Sequence, residues 1–196
     1  MEVEMKIRGL MMDPITNMPI VILKEASGSG ILPIWVGVYE ANAIALEIEK
    51  VVTPRPMTHD LLKNVLTGLD ACVQKVVVTD IKDDTFYALI WLERNGTMVS
   101  IDSRPSDALA LALRIDCPIF VEDEVLKSSK CQNGNQDRIK DDELRKLLEN
   151  LPDEDLGRYS VQTRLFVQSG KIPVFHYRRW MMARARVILE TLAPRG

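Results

Sequence analysis

Histidine is nearly missing from this chain: His59 and His176 are the only two, which excludes a metal centre built mainly of imidazoles. Cysteine is almost as scarce. Cys72, Cys117 and Cys131 lie far apart with no CxxC pair, an odd and dispersed set that argues against a disulfide framework and against a zinc site. Such usage suits a reducing compartment, and the expected location is the cytoplasm. No run approaches the roughly 20 apolar residues that span a bilayer, so no membrane span is expected. The opening MEVEMKIRGL carries early glutamates and no apolar stretch, unlike a secretory signal.

What is present suits a globular domain. The 196 residues are 46% hydrophobic and 27% charged, enough for one sizeable core. The net charge of −3 conceals an asymmetry, because residues 160–196 hold seven bases and one acid. That segment is +6 and residues 1–159 are therefore −9, an acidic body with a basic tail.

Strand-like runs cover about 3–12, 19–25 and 31–36, the last two joined by the turn ASGSG, which lacks the lysine of a phosphate-binding loop. A helix is predicted over 39–52, then a break at TPRPMTHD and a shorter helix over 59–67 ended by Gly68. The plan then repeats. QKVVVTDI and TFYALIWLE flank the turn KDD, and Asn95-Gly96 turns the chain into MVSID, since both residues tolerate positive φ. The apolar helix SDALALALRID and the short strand CPIFVE follow. EANAIALEI at 40–48 lies on DALALALRI at 107–115 without a gap, with five of nine positions identical. This reads as a ββ(β)α duplication whose pseudo-twofold would make Glu40 and Asp107 equivalent. Glu47 and Arg114 would then bridge the two helices. Beyond about 127 the chain turns polar, with a short amphipathic helix at DELRKLLENL, two further strands (VQTRLFVQ and IPVFHY) and a final helix over 178–192.

Chemistry concentrates in VSIDSRPSD, residues 99–107. One reading is helix capping: Ser103 or Ser106 caps the amides, proline sits in the first turn, and Asp107 faces the positive dipole end. Capping does not account for Asp102 at a strand end, nor for Arg104, whose charge opposes the dipole there. In RPMTHDLLKN, Thr58 is the expected N-cap, with His59 and Asp60 in the first turn; a neutral imidazole there can accept a proton. Glu40 also follows a strand end. If these strand-to-helix connections gather along one edge of a sheet, Glu40, Asp60, Asp102 and Asp107 converge, and such a cluster suits Mg2+ or Mn2+. In that arrangement Glu40, Asp102 and Asp107 hold the metal and His59 with Asp60 moves protons. Arg55 and Arg104, with Ser106, grip phosphate.

The blocks LPIWVGVYEANAIALEIE, RPMTHDLL, TFYALIWLE and IDSRPSDALALALRIDCPIFV resemble the bifunctional nuclease family, named for members that cleave DNA and RNA. The resemblance covers residues 1 to about 127 well and 128–159 loosely. It implies a compact α+β fold, often oligomeric, and recurrent polar positions at Glu40, Arg55, His59, Asp60, Asp102, Arg104, Ser106 and Asp107. With the duplication, the expected fold is a roll-like domain with a mixed, mainly antiparallel sheet in two ββ(β)α halves. The expected division is a nuclease-like domain at 1–127, a linker with a short amphipathic helix at 128–159, and a basic extension at 160–196. The expected activity is divalent-metal-dependent hydrolysis of DNA or RNA. The competing expectation is a regulatory module that binds a partner or a small anion in the same cleft. The basic extension does not match the family. Arg178, Arg179 and Trp180 suit nucleic-acid contact, while the stripe Met181, Ala185, Ile188 and Leu192 suits docking on the acidic body or on another subunit, or a membrane surface.

Overall fold

In a computed structural model the described residues are 1–13 and 16–131. The chain starts as an antiparallel meander, β1 (Glu2–Met12), β2 (Pro19–Glu25) and β3 (Ile31–Trp35), followed by the helix α1 (Val38–Ile48). After α2 (Thr58–Gly68) a second meander runs through β4 (Cys72–Lys82), β5 (Thr85–Arg94) and β6 (Thr97–Ser103) into α3 (Pro105–Ile115). A short strand, β7 (Ile119–Glu122), and α4 (Asp123–Cys131) complete the described part. The two tight turns of the second meander are Asp83-Asp84 and Asn95-Gly96, all four at φ between 47° and 73°. Positive φ at both central residues matches the twist of the flanking strands, so the chain reverses in two residues.

All seven strands form one sheet in the order β3-β2-β1-β7-β4-β5-β6. β7 lies antiparallel to β1 and parallel to β4, and every other pairing is antiparallel. The order is symmetric about β7, with a three-stranded meander and its helix on each side, as the repeated sequence pattern implies. α1 and α3 pack on each other and on the same core, which joins Val21, Leu23, Val76, Val78, Ile119 and Val121 from the sheet to both helices. Ala41 and Ala45 of α1 and Ala108, Ala110 and Ala112 of α3 are fully buried, and these small side chains let the two helices approach closely. α3 is buried on nearly every side, as its apolar composition requires.

Several expected boundaries move. α1 stops at Ile48 rather than 52, because Lys50 takes a left-handed φ of 51° while Val51 donates to the Leu46 carbonyl and Lys50 to that of Glu47. This reverses the chain in a Schellman motif. α2 ends at Gly68 as expected, but the left-handed residue that closes it is Asp70, and Ala71 donates to the Leu66 carbonyl. Its N-cap is Met57, not Thr58, and the Asp60 carboxylate accepts the Met57 N–H at 2.8 Å. α3 is capped by neither Ser103 nor Ser106: Arg104 is the N-cap and its carbonyl accepts from Asp107 and Ala108. The Glu47–Arg114 bridge does not form, since Glu47 meets Lys50. The polar segment past 127 begins as helix, because Val125 and Leu126 bury themselves in the core and carry α4 to Cys131. The elements expected beyond, and with them Arg178, Arg179 and Trp180, lie outside the described residues. Among the described residues no helix is long and apolar enough to cross a membrane.

Candidate active site

Each of α1, α2 and α3 carries an acid in its first turn: Glu40, Asp60 and Asp107. A carboxylate there is favoured by unpaired amides and the positive dipole end. What gathers two of these acids is Arg104. It precedes Pro105, and a residue before proline is driven to extended backbone; Arg104 has φ −68° and ψ 143°. The chain thus swings abruptly from β6 into α3, leaving the arginine side chain at the helix mouth.

The guanidinium of Arg104 grips Asp107 as a fork, donating from Nε at 2.7 Å and from Nη2 at 3.2 Å, and reaches Glu40 from Nη1 at 2.9 Å. Asp107 also meets His59, whose Nε2 lies 3.1 Å from Oδ1. Burial pushes the Asp107 carboxyl up, but the hydrogen bonds from Arg104 and His59 outweigh it and hold the group below its ordinary value. Arg104 itself is held more firmly charged by its hydrogen bond with Asp107. The imidazole is 12% exposed while Arg104 is 65% exposed, so the cluster grades from a shielded histidine to an open cation. His59 and Asp60, expected to move protons together, take different partners: His59 meets Asp107 and Asp60 meets Arg114.

Asp60 has a different occupation. Its carboxylate takes the Met57 N–H and, at 2.6 Å, Nε of Arg114. Burial raises this group too, and the Met57 and Arg114 hydrogen bonds bring it below its usual range. Arg114 is 4% exposed and spends its other nitrogens on the carbonyls of Ala110 in α3 (2.8 Å) and Ala43 in α1 (3.1 Å). Lys63 of α2 donates to the Arg114 carbonyl at 2.7 Å. One buried arginine therefore ties all three helices together one turn behind the cluster.

The remaining expected residues are spread out. Asp102 pairs with Leu89, while its neighbour Ile101 pairs with core-facing Ile90; by strand alternation Asp102 points to the sheet face opposite the helices. Arg55 is exposed in the connection between α1 and α2, and Ser106 is buried in the first turn of α3. Among the described residues no group of three or more His, Cys, Asp or Glu side chains is placed to hold a metal ion. Sequence reasoning gave Arg114 a bridging role with Glu47 in place of Asp60, and missed the roles of Lys63 and Gly37. Gly37 precedes α1, and a Cβ there would run into the Glu40 carboxylate. A glycine immediately before a helix that begins with an acid was the available signal.

The profile of a family described as the bifunctional nuclease domain matches residues 21–134, which hold every residue of this cluster. An uncharacterised protein of Mycobacterium tuberculosis is 42% identical over 123 residues, covering 63% of this chain and 73% of that protein. Bifunctional nuclease 1 of Arabidopsis thaliana is 31% identical over 107 residues (53% of this chain, 33% of the plant protein). Bifunctional nuclease 1 of Oryza sativa subsp. japonica is 29% identical over 105 residues, covering 52% and 32%. The shared region is thus about a third of each plant protein.

Proposed function

Because the chain belongs to the bifunctional nuclease domain family, we propose that it hydrolyses phosphodiester bonds in DNA or RNA, with His59, Asp107 and Arg104 as the working residues. The observation that supports this most is the continuous contact from a shielded imidazole through Asp107 to an open guanidinium. Asp107 accepts from Nε2–H of His59, which leaves Nδ1 to take a proton from water. Water oxygen adds to phosphorus as one P–O bond to sugar breaks, and the proton passes through the imidazole to the departing oxygen. Arginine has five N–H donors, and the three in the bonds above leave two for the phosphate oxygens. Asp60 fixes the first turn of α2, which carries His59, rather than carrying protons, since its oxygens already receive Met57 and Arg114.

The donor set does not fit a resident divalent ion as it stands, because the guanidinium of Arg104 already occupies Glu40 and Asp107, and Asp102 faces elsewhere. Mg2+ or Mn2+ therefore receives no step here, and its effect is a variable of the assay. A cytoplasmic location is part of the same reading, supported by the free thiols Cys72 and Cys117.

The test is cleavage of labelled DNA and RNA by the purified chain, in EDTA and with added Mg2+ or Mn2+, beside His59→Ala and Asp107→Asn. Loss of a general base lowers the rate by about 10²–10⁴-fold, and His59→Ala is expected in that range. Unchanged cleavage in His59→Ala rejects the assignment. A second reading draws on the mutual pairing of Arg104, Glu40 and Asp107: a module that binds an anionic ligand without cleaving it. Absence of cleavage under every metal condition, with retained binding of an oligonucleotide that Arg104→Met abolishes, selects it.

A further inference from the structure

The two edges of the sheet are built differently. β3, at one edge, has five residues with Pro33 at its centre, and Trp35 is turned to Asp13 through a 3.2 Å hydrogen bond. Proline and shortness are the usual means of keeping a sheet edge from recruiting another strand. β6, at the other edge, has seven residues, TMVSIDS, with no proline, no lysine and an unbroken register against β5. Met98, Val99 and Ile101 are 47%, 44% and 45% exposed. An edge of this length and composition, paired on one side only among the described residues, offers a row of backbone donors and acceptors to another strand.

We propose that β6 is the contact between two copies of this chain, paired antiparallel about a twofold axis at Ser100. On the face that carries the helices the segment is complementary to itself in that register. Val99 falls opposite Ile101 of the second copy, and Thr97 opposite its Ser103, on the face that carries the helices. Cross-strand pairs of β-branched residues, and of two hydroxyl residues, are among those that stabilise antiparallel strands. A strand alone covers less than the roughly 800 Å² per partner of a standard interface, and α2 supplies the rest. Leu62, Val65 and Leu69 form an exposed apolar stripe at i, i+3 and i+7. Arg94, the residue paired with Thr97 of β6, donates from Nε to the Leu69 carbonyl at 3.0 Å, so the end of this stripe lies on the same flank. A twofold interface brings both copies of the stripe to one side of the paired strands. The contact stands apart from the nuclease reading, and its test reads mass rather than cleavage.

The full chain, 22.2 kDa, is expected to sediment at twice that mass, with a concentration-dependent fall to the monomer on dilution. Val99→Lys and Ile101→Lys are expected to sediment as monomers while keeping the wild-type circular dichroism spectrum. A Ser100→Cys variant in a Cys72→Ser, Cys131→Ser background is expected to form a disulfide-linked dimer on mild oxidation, and Lys82→Cys in that background is not. A monomeric wild type at high micromolar concentration overturns the proposal. So does a trimer, an oligomer that both lysine variants leave intact, or equal crosslinking by Ser100→Cys and Lys82→Cys.

Discussion

Arg114 is a charge with almost no access to water, and its only carboxylate partner among the described residues is Asp60, 2.6 Å away. Removing one member of a buried pair leaves the other charge uncompensated, at a cost of about 3–5 kcal/mol. Asp60→Asn is therefore expected to destabilise the protein by about 3 kcal/mol at pH 7, the low end because Asp60 itself reaches the surface. Asp60 has its folded value depressed below 3.8, so its contribution is fully present above that pH and fades as the pH falls through the folded value. Urea unfolding at pH 7 and pH 3 checks this: the gap between wild type and variant narrows at the lower pH, and a constant gap contradicts it. A second residue-scale contrast concerns the thiols. Burial pushes Cys117 up to about 11, whereas Cys72 is exposed. Iodoacetamide at pH 8, followed by peptide mass spectrometry, is expected to label Cys72 at least about tenfold faster than Cys117. Much of the cluster was legible because its residues break local rules: Arg104 at the wrong end of a dipole and His59 at a helix start both asked for a partner. The partner of Arg114 was not legible. Aligning 40–48 with 107–115 compares two helices and is silent about the third, which supplies Asp60.

α1, α2 and α3 all end on a left-handed residue other than glycine: Lys50, Asp70 and Asp116, at φ 51°, 53° and 61°. Such a conformation costs an L-residue about 1–2 kcal/mol, which glycine avoids at some loss of unfolded-chain entropy. Lysine, with no short polar side chain to bond its own backbone, bears most of this cost. Lys50→Gly is expected to stabilise the protein by about 0.5–1 kcal/mol, after losing an exposed ion pair with Glu47 that contributes little. In a chain of this size that raises Tm by about 1–4 °C, readable by calorimetry. These endings also show why the helix boundaries were the least legible part of the fold. Lysine and aspartate carry no sequence signal for a helix stop, so 39–52 read as one helix although it closes at Ile48. The strands and the two-residue turns were legible, since alternation and Asn95-Gly96 act locally. The order in which those strands associate was not, because β7 joins β1 across more than a hundred residues.

At the scale of the molecule, the two meanders never pair with each other; each pairs only with β7, through Val3–Val121 on one side and Val78–Val121 on the other. Four residues therefore decide whether there is one sheet or two. Removing everything from Pro118 onward is expected to abolish cooperative unfolding and to open the amides of Val3 and Met5 to hydrogen exchange. A control ending at Cys131 is expected to protect them. A sharp single transition in the shorter chain contradicts this. The same arrangement sets a timetable for synthesis. A ribosome has already delivered both meanders and both alanine-lined helices before the strand that joins them emerges. Until then each half waits with its inner border open. The nascent protein is at its most vulnerable to wrong partners just before its middle is filled.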